Sequence, residues 1–474
     1  MILRSITTHS TARQLLSVVG LGGGLALSGC ASLDPRPDIE RAAATVAERS
    51  GIAPVWSEPW ESSLTTWDGL APLGVEQAVA MALRNNRAIR AEVESIAASR
   101  ADLVQAGLLP NPVLALTLRF PFDPVSGGSF VGAQVVQSFT ALWLRDGKIR
   151  SADARLNQAV LDVSDKALRL VAEVRATHAR IDFGQRAITL SDENLATIRR
   201  SIDSLDARIR GGEGTPLDVN RASQQLAQAQ AERAIITRDT AKARRQMLEL
   251  IGFAAASAEW TVDKREANES PAALDEAVAM SVASAHRLDV AAARSIVEAR
   301  RAELSVEERG RLKDFGLGAD FERDVDGAKT IGPVVEVGIP IFDTNQAQIA
   351  KAGSLARAAL ATYEAAAQRA TREVRVAWVE RDAAIRLVEQ YRETVLAISL
   401  RNLTLAESSL RAGQDDVTVL LEAQRSVVEA RLRLNELERQ AVIAEIELQY
   451  AMGGSLLTPA AHPSEGAGER ERRP

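Results

Sequence analysis

Apolar and polar positions alternate along this chain with two periods, and the longer one dominates. From Leu156 through Val163, Val174, Ile181, Leu195 and Ile202 to Ile209, apolar or small residues recur at four-three spacing without a break. Such a pattern predicts one very long helix, and at 1.5 Å per residue a helix over residues 147–210 would extend roughly 95 Å. A helix of that length needs a partner along its whole seam. Leu226, Ala229, Ile236, Thr240, Ala243, Met247 and Leu250 supply one, interrupted only by Arg233, and Leu420, Val427, Ala430, Leu434, Leu437, Ala444 and Leu448 repeat the pattern near the other end. The second period is two. Leu114, Leu116, Leu118 and Phe120 alternate with Ala115, Thr117 and Arg119; Phe315, Leu317, Ala319 and Phe321 alternate with Gly316, Gly318, Asp320 and Glu322. Ile331, Pro333, Val335, Val337, Ile339 and Ile341 do the same opposite Gly332, Val334, Glu336 and Gly338. These are strands with one oily face and one small or charged face.

The order of elements occurs twice. Ala78-Val79-Ala80-Met81 returns as Ala277-Val278-Ala279-Met280, 199 residues on; Gly132, Val135, Ile149 and Ala152 return as Gly332, Val335, Ile349 and Ala352, 200 residues on. Arg210, Gly212 and Ala222 return as Arg411, Gly413 and Ala423, 201 residues on. This slowly drifting register marks a tandem duplication. The first repeat covers residues 73–252 (a helix, a β-hairpin at about 112–140, a long helix, a tip turn at 210–216 and a helix), and the second covers 273–454, with its hairpin at about 314–342 and its tip turn at 411–416. Pro110-Asn111-Pro112 stops the first helix, because proline lacks the amide donor and restricts its predecessor. A soluble sandwich would show the same strand alternation; two strands per repeat make a poor soluble domain but can form a sector of a closed membrane barrel.

Composition agrees with a helical chain. Of 474 residues 46% are hydrophobic but only 4% aromatic, so the apolar content is carried by Ala, Leu, Val and Ile, which suit close helix packing. The first residues have the layout of a processing signal: Arg4 and Arg13, an apolar run from Leu15 to Leu27, then Leu27-Ser28-Gly29-Cys30. This tetrapeptide resembles the bacterial lipobox. Cys30 is the single cysteine, which rules out an intrachain disulfide and makes its thiol the expected site of lipid attachment, with residues 1–29 removed. By that resemblance Ala31, in second place, directs the protein to the outer membrane. Loss of 1–29 removes two arginines and no acid, so the formal charge of -6 becomes -8; so acidic a chain gives no support to nucleic-acid binding. Apart from the signal, no segment approaches the ~20 apolar residues of a membrane helix.

Residues 31–72, with Pro35, Pro37, Pro54, Pro59, Trp56, Trp60 and Trp67, read as an extended strap leading from the lipid anchor. Its tryptophans are either interfacial anchors or packing against outer helices. Residues 455–474 read as a disordered tail. Catalytic chemistry has no foothold: His9, His178, His286 and His462 lie far apart, no ligand spacing surrounds them, and no phosphate loop or nucleophile elbow occurs. The expectation is a protein that is not an enzyme and holds no metal or cofactor beyond the covalent lipid on Cys30.

Together the duplicated halves, Ala106-Gly107-Leu108-Leu109-Pro110-Asn111-Pro112 before the first strand, Gly147-Lys148-Ile149-Arg150 opening the long helix and Ile339-Pro340-Ile341-Phe342-Asp343 after the second hairpin resemble the TolC-type outer membrane efflux protein family, from about Leu73 to about Gly454. The resemblance implies a mainly α fold with a small β part, in which three chains close a twelve-stranded barrel in the outer membrane and their coiled helices form a tunnel across the periplasm. Leu114, Leu116, Leu118, Val335, Val337 and Ile339 would face lipid, and Arg119, Asp320 and Glu336 the lumen. It also implies the partners of a tripartite pump, a periplasmic adaptor and an inner-membrane transporter of the RND type, with the turns Arg210, Gly212, Thr215 and Arg411, Gly413, Asp416 as adaptor docks; Asp416 departs from the small or polar residue expected there. Asp218, Asp415 and Asp416, near Arg210 and Arg411, are candidates for a charge gate; as solvated charges they would contribute little. The implied function is a passive gated exit duct. The Gly-Leu-Leu-Pro-Asn-Pro and Gly-Lys-x-Arg stretches look most like the heavy-metal cation branch, with drug efflux and type I protein secretion as alternatives. A non-channel coiled-coil scaffold lipoprotein is the competing class.

Overall fold

The computed structural model describes residues 32–56, 67–120, 128–212, 215–253, 260–264, 273–311, 315–414 and 417–454. Cys30, Trp60, Asp415, Asp416 and residues 455–474 lie outside the described residues. Elements follow the duplicated order: α1 Arg36–Ser50, α2 Val75–Asn85, α3 Arg87–Gly107, β1 Val113–Arg119, β2 Phe130–Ser138, α4 Thr140–Arg210, α5 Pro216–Leu250, then α6 Glu276–His286, α7 Leu288–Arg309, β3 Phe315–Arg323, β4 Lys329–Val337, α8 Gln346–Tyr391, a π-helical turn Arg392–Leu396, α9 Ala397–Arg411 and α10 Val417–Ala451.

Backbone contacts divide the chain into two compact units. The first takes its described residues from Met1–Pro35, Ala97–Leu156 and Ser295–Ala359, and the second from Arg36–Ile96, Asn157–Arg294 and Leu360–Pro474. The first unit contains the sheet, a four-stranded antiparallel ribbon in the order β1-β2-β3-β4. Where its strands meet helices, Phe315 N donates to Thr140 Oγ1 at 2.8 Å. Gly147 lies against Val306 of α7 so closely that a Cβ would collide with it, which explains why the long helix carries glycine near its start. Matching side chains cap the ends of α3 and α7: Arg145 Nε donates to the Gly107 carbonyl at 2.7 Å, and Asn345 Nδ2 to the Glu307 carbonyl at 2.8 Å.

The second unit is helical, and its core is the predicted seam. Val160, Val163, Ala167, Val174 and Ile181 are buried along α4, as are Leu195 and Ile198 further on, where they pack on Ala229 of α5. Arg233, which interrupts the seam of α5, reaches across to Asp192 with a two-pronged contact of 2.5 and 3.1 Å. Paired hydrogen bonds expose the duplication here too. Asn86 Nδ2 donates to the Leu250 carbonyl and Arg287 to the Ala451 carbonyl; His178 Nε2 donates to the Leu73 carbonyl and Trp378 Nε1 to the Leu274 carbonyl. Helices α5 and α10 end identically, at Gly252 and Gly453 with φ of +84° and +96°. There the chain turns in a Schellman motif, Phe253 N donating to Leu248 O and Gly454 N to Gln449 O.

Two expectations need correction. Residues 31–72 are not simply extended, because Arg36–Ser50 is helical; Ile39, Ala42 and Val46 sit at helical spacing and are buried, and Pro35 and Pro37 occupy the helix start, where proline is tolerated. The first repeat offset is also 201, not 199. Helix α2 spans 75–85 and α6 276–286, with Ala78 and Ala82 buried as Ala279 and Ala283 are; the identical tetrapeptide is out of register by two.

The later drift has a structural cause. His178 and Trp378, in equivalent roles, are 200 apart, whereas Gly212 and Gly413 are 201 apart. One extra residue therefore entered the second long helix between them, and a π-turn, which takes up an additional residue, lies there at Arg392–Leu396. Tyr391 and Leu396, both packed on the cluster of Val388, Leu434 and Leu437, are five apart in a seam of threes and fours. The π-turn keeps them on one face.

Candidate functional site: sheet faces, free edges and tip turns

Strand register sorts the sheet residues onto two faces. Leu114 pairs with Val135, Leu116 with Ala133 and Leu118 with Val131; these in turn align with Ala319, Phe321 and Arg323, and Leu317, Ala319 and Phe321 with Val335, Pro333 and Ile331. Directly opposed residues share a face, so this face is apolar across all four strands except at Gln137 and, at the turn end, Arg323 and Lys329. The other holds Thr117, Arg119, Gln134, Ser138, Asp320, Glu322, Thr330 and Glu336 with Gly132, Gly316, Gly318 and Gly332. Leu116 is 68% exposed and Ile331 80%, an oily surface that water does not tolerate over such an area. The expected lipid-facing residues Leu114, Leu116, Leu118, Val335 and Val337 share the apolar face, and Arg119, Asp320 and Glu336 the polar one. Ile339 lies beyond the end of β4. Among the described residues, both outer strands, β1 and β4, have an unpaired edge.

At the helix-joined end of the sheet, Trp143 packs on Phe315 with ring centroids 6.1 Å apart, and Phe342, five residues past the end of β4, is 92% exposed. For the strap tryptophans the sequence left two roles open, interfacial anchors or packing against outer helices. Of these, Trp56 is buried with its Nε1 donating to the Leu83 carbonyl at 2.8 Å, and Trp67 stacks edge-on against Trp260. They are packing residues. Trp143 carried a signal that could have been read: an aromatic next to a strand end at the start of an amphipathic hairpin's flanking helix.

The two tip turns end α4 and α9. Gly212 and Gly413 have φ of +85° and +66° with open space around them, so glycine there serves the left-handed turn and not close packing. Arg208 donates to Thr418 Oγ1 at 3.1 Å, which brings the two turns together. Arg210, Thr215, Arg411 and Gly413 are exposed, together with the apolar Leu217 and Val419. Asp218 accepts from Thr215 Oγ1 at 2.7 Å and faces Arg221, both on its own helix end, while Arg411 turns back to Glu407. No described contact joins Asp218 to Arg210 or Arg411 within the chain.

Along the long helices the two repeats differ. In the first, Val163, Val174 and Ile181 are fully buried; in the second, Val379 on α8 is 55% exposed and Leu405 on α9 64%. Of the histidines, His178 is a buried hydrogen-bond donor, and the carbonyl of His286 accepts from Arg49 at 2.6 Å. His9 and His462 fall outside the described residues.

An amphipathic sheet with two open edges, carried by duplicated long helices that leave one apolar face uncovered, is the build of a wall segment of a membrane channel. The chain belongs to the outer membrane efflux protein family, which it matches twice, over residues 78–253 and 279–454. The two matches have the 201-residue spacing of the repeats. Among curated relatives, the chain is 23% identical over 370 residues to the cobalt-zinc-cadmium resistance protein CzcC of Cupriavidus metallidurans, covering 77% of this chain and 86% of that protein. It is 27% identical over 447 residues to outer membrane protein OprJ of Pseudomonas aeruginosa, covering 88% and 92%. Among solved structures, CusC, described in connection with transmembrane channel formation, superposes with a TM-score of 0.66 at 18% identity, covering 83% of this chain and 96% of that one.

Proposed function

We propose that three copies of this chain close their sheets into a twelve-stranded barrel in the outer membrane, and that their helices form the periplasmic duct of a tripartite export system. The observation that carries this reading is the sheet: its apolar face is suited to lipid, and its unpaired edges at β1 and β4 must be closed, since hydrocarbon leaves no partner for a free backbone donor. Cys30 takes the lipid that tethers the chain to the outer membrane. The turns containing Arg210, Gly212 and Thr215, and Arg411, Gly413 and Asp416, receive a periplasmic adaptor, which connects the duct to an inner-membrane transporter of the RND type. Asp218, Asp415 and Asp416 would gate the mouth through contacts with arginines of neighbouring copies.

For cargo we propose heavy-metal cations. The polar sheet face carries Asp320, Glu322 and Glu336 against a single Arg119, an acidic lining that raises the local concentration of cations, and CzcC is named for resistance to such metals. The test is conductance of the purified lipidated protein in planar bilayers. Discrete channel steps, reduced when Asp320 and Glu336 are replaced by their amides and cations are the carriers, are expected; a bilayer that stays silent excludes a duct and leaves the scaffold reading.

A further inference from the structure

Charge on the two sheet faces is sorted by sign as well as by amount. The polar face carries Arg119, Asp320, Glu322 and Glu336, whereas the apolar face has only Arg323 and Lys329 among the residues of the four strands. These two are directly opposite each other at the last rung of the β3-β4 pairing. Like charges in that arrangement repel. Both are exposed, and among the described residues neither forms an ion pair. The nearest acids in sequence are engaged elsewhere: strand alternation puts Glu322 on the opposite face, and the carboxylates of Asp324 and Asp326 accept the backbone amides of Val325 and Ala328 at 2.7 and 2.8 Å.

Their height on the sheet is also defined. Eight residue steps separate Phe315, beside Trp143 at the helix-joined end, from Arg323 at the turn end. At ~3.3 Å per step this is about 26 Å along the strand, and with the usual tilt about 20 Å in height, close to the ~25 Å apolar band of an outer-membrane barrel. The pair therefore lies where hydrocarbon gives way to headgroups, on the side reached by the β-turns.

We propose that Arg323 and Lys329 form a clamp for the phosphate of an anionic lipid headgroup in the outer leaflet, one clamp per chain. A phosphate seated between them converts the repulsion into two charge-assisted contacts. The proposal rests on the barrel reading above, and it adds a lipid-specific site to what that reading requires.

Native mass spectrometry of the purified full-length protein tests it, using bis-phosphorylated lipid A as the probe, with phosphatidylcholine and inorganic phosphate as controls. Retention of lipid A but not phosphatidylcholine, unaffected by millimolar inorganic phosphate, is expected. At roughly a factor of five per basic residue near an anionic surface, the Arg323→Gln/Lys329→Gln variant should bind about 25-fold more weakly, and the charge-preserving Arg323→Lys variant near wild type. Equal retention by the double variant, equal retention of phosphatidylcholine, or displacement by inorganic phosphate overturns the clamp. Should the double variant fail to assemble, single Lys329→Gln decides on the same readout, with a fivefold loss expected and none contradicting. Conductance of the same preparations separates the two levels: channels that retain no lipid A sink the clamp alone, and a silent wild type sinks the barrel.

Discussion

The two repeats share one plan and differ in how much of it a single chain completes. The first long helix, α4, runs unbroken for 71 residues with its seam buried by its own chain. Its counterpart is divided by a π-turn and exposes Val379, Ile398 and Leu405. Capping diverges as well: Asn86 closes α5 with one neutral hydrogen bond, but at the same place in the second repeat Arg287 bonds the Ala451 carbonyl and holds Asp289 and Glu373, each at 2.7 Å. Duplication produced two similar halves, and one became the internally satisfied half while the other keeps apolar surface that its own chain leaves exposed.

The largest expected effect comes from changing helix phase. Deleting Glu193 from α4 would rotate Leu195 and Ile198 out of the core by about 100° per residue lost. At about 1.5–3 kcal/mol per side chain exposed, the loss exceeds about 3 kcal/mol and should be seen as a sharp fall in thermal stability of the helical signal. Deleting the exposed Glu393 instead puts Tyr391 and Leu396 four apart, converts the π-turn to ordinary helix and should change stability by less than about 1 kcal/mol. Equal damage from both deletions would break the explanation of the 201-residue register.

The caps give the next difference. Arg287→Ala orphans Asp289 and Glu373 and should cost about 2–3 kcal/mol, less than a fully buried pair because both acids keep some contact with water; Asn86→Ala should cost about 1 kcal/mol. Burial disfavours the charged carboxyl of Asp289, but the hydrogen bonds and charge of Arg287 outweigh it and hold the group below the ordinary aspartate range. Its folded value is depressed, so its contribution is present above the unfolded value near 3.8 and is lost as pH falls through the folded value. The gap between Arg287→Ala and wild type should therefore narrow in acid. Asp165 behaves oppositely: burial, then repulsion from Asp289, raises it, so it favours the fold less as pH rises from the unfolded value through the raised one. Asp165→Asn should leave stability at neutral pH unchanged or slightly higher.

The turn glycines give a contrast of about the same size as the caps. An alanine Cβ at Gly453 would lie 2.6 Å from the His286 carbonyl oxygen, while at Gly413 it would meet nothing within 4 Å. Gly413→Ala should cost only the left-handed conformation, about 1 kcal/mol, and Gly453→Ala about 1–2 kcal/mol more. Matched denaturation midpoints for the two would show that Gly453 is not a close-packed position.

Much of this was legible in the sequence because it rests on periodicity. The seam from Leu156 to Ile209, the two-sided strands and the repeat all follow from spacing, which reflects which face is buried. The helix Arg36–Ser50 was obscured by prolines that sit at its start. The pairing of Arg208 with Thr418, and the cluster of Arg287, Asp289 and Glu373, join residues distant in sequence, and no local spacing announces them. The gate was the least legible. Asp218 is engaged by Thr215 and Arg221 of its own helix end, a local pairing that spacing near Arg210 and Arg411 does not reveal.

The central claim is that β1 and β4, open in one chain, pair between chains. Cysteine pairs scanned along β1 and β4 of the full-length protein, oxidised in outer-membrane preparations and resolved by mass, test it directly. The account predicts a covalent ladder that stops at three times the mass of one processed chain. A band at one chain for every pair along the scan would contradict it.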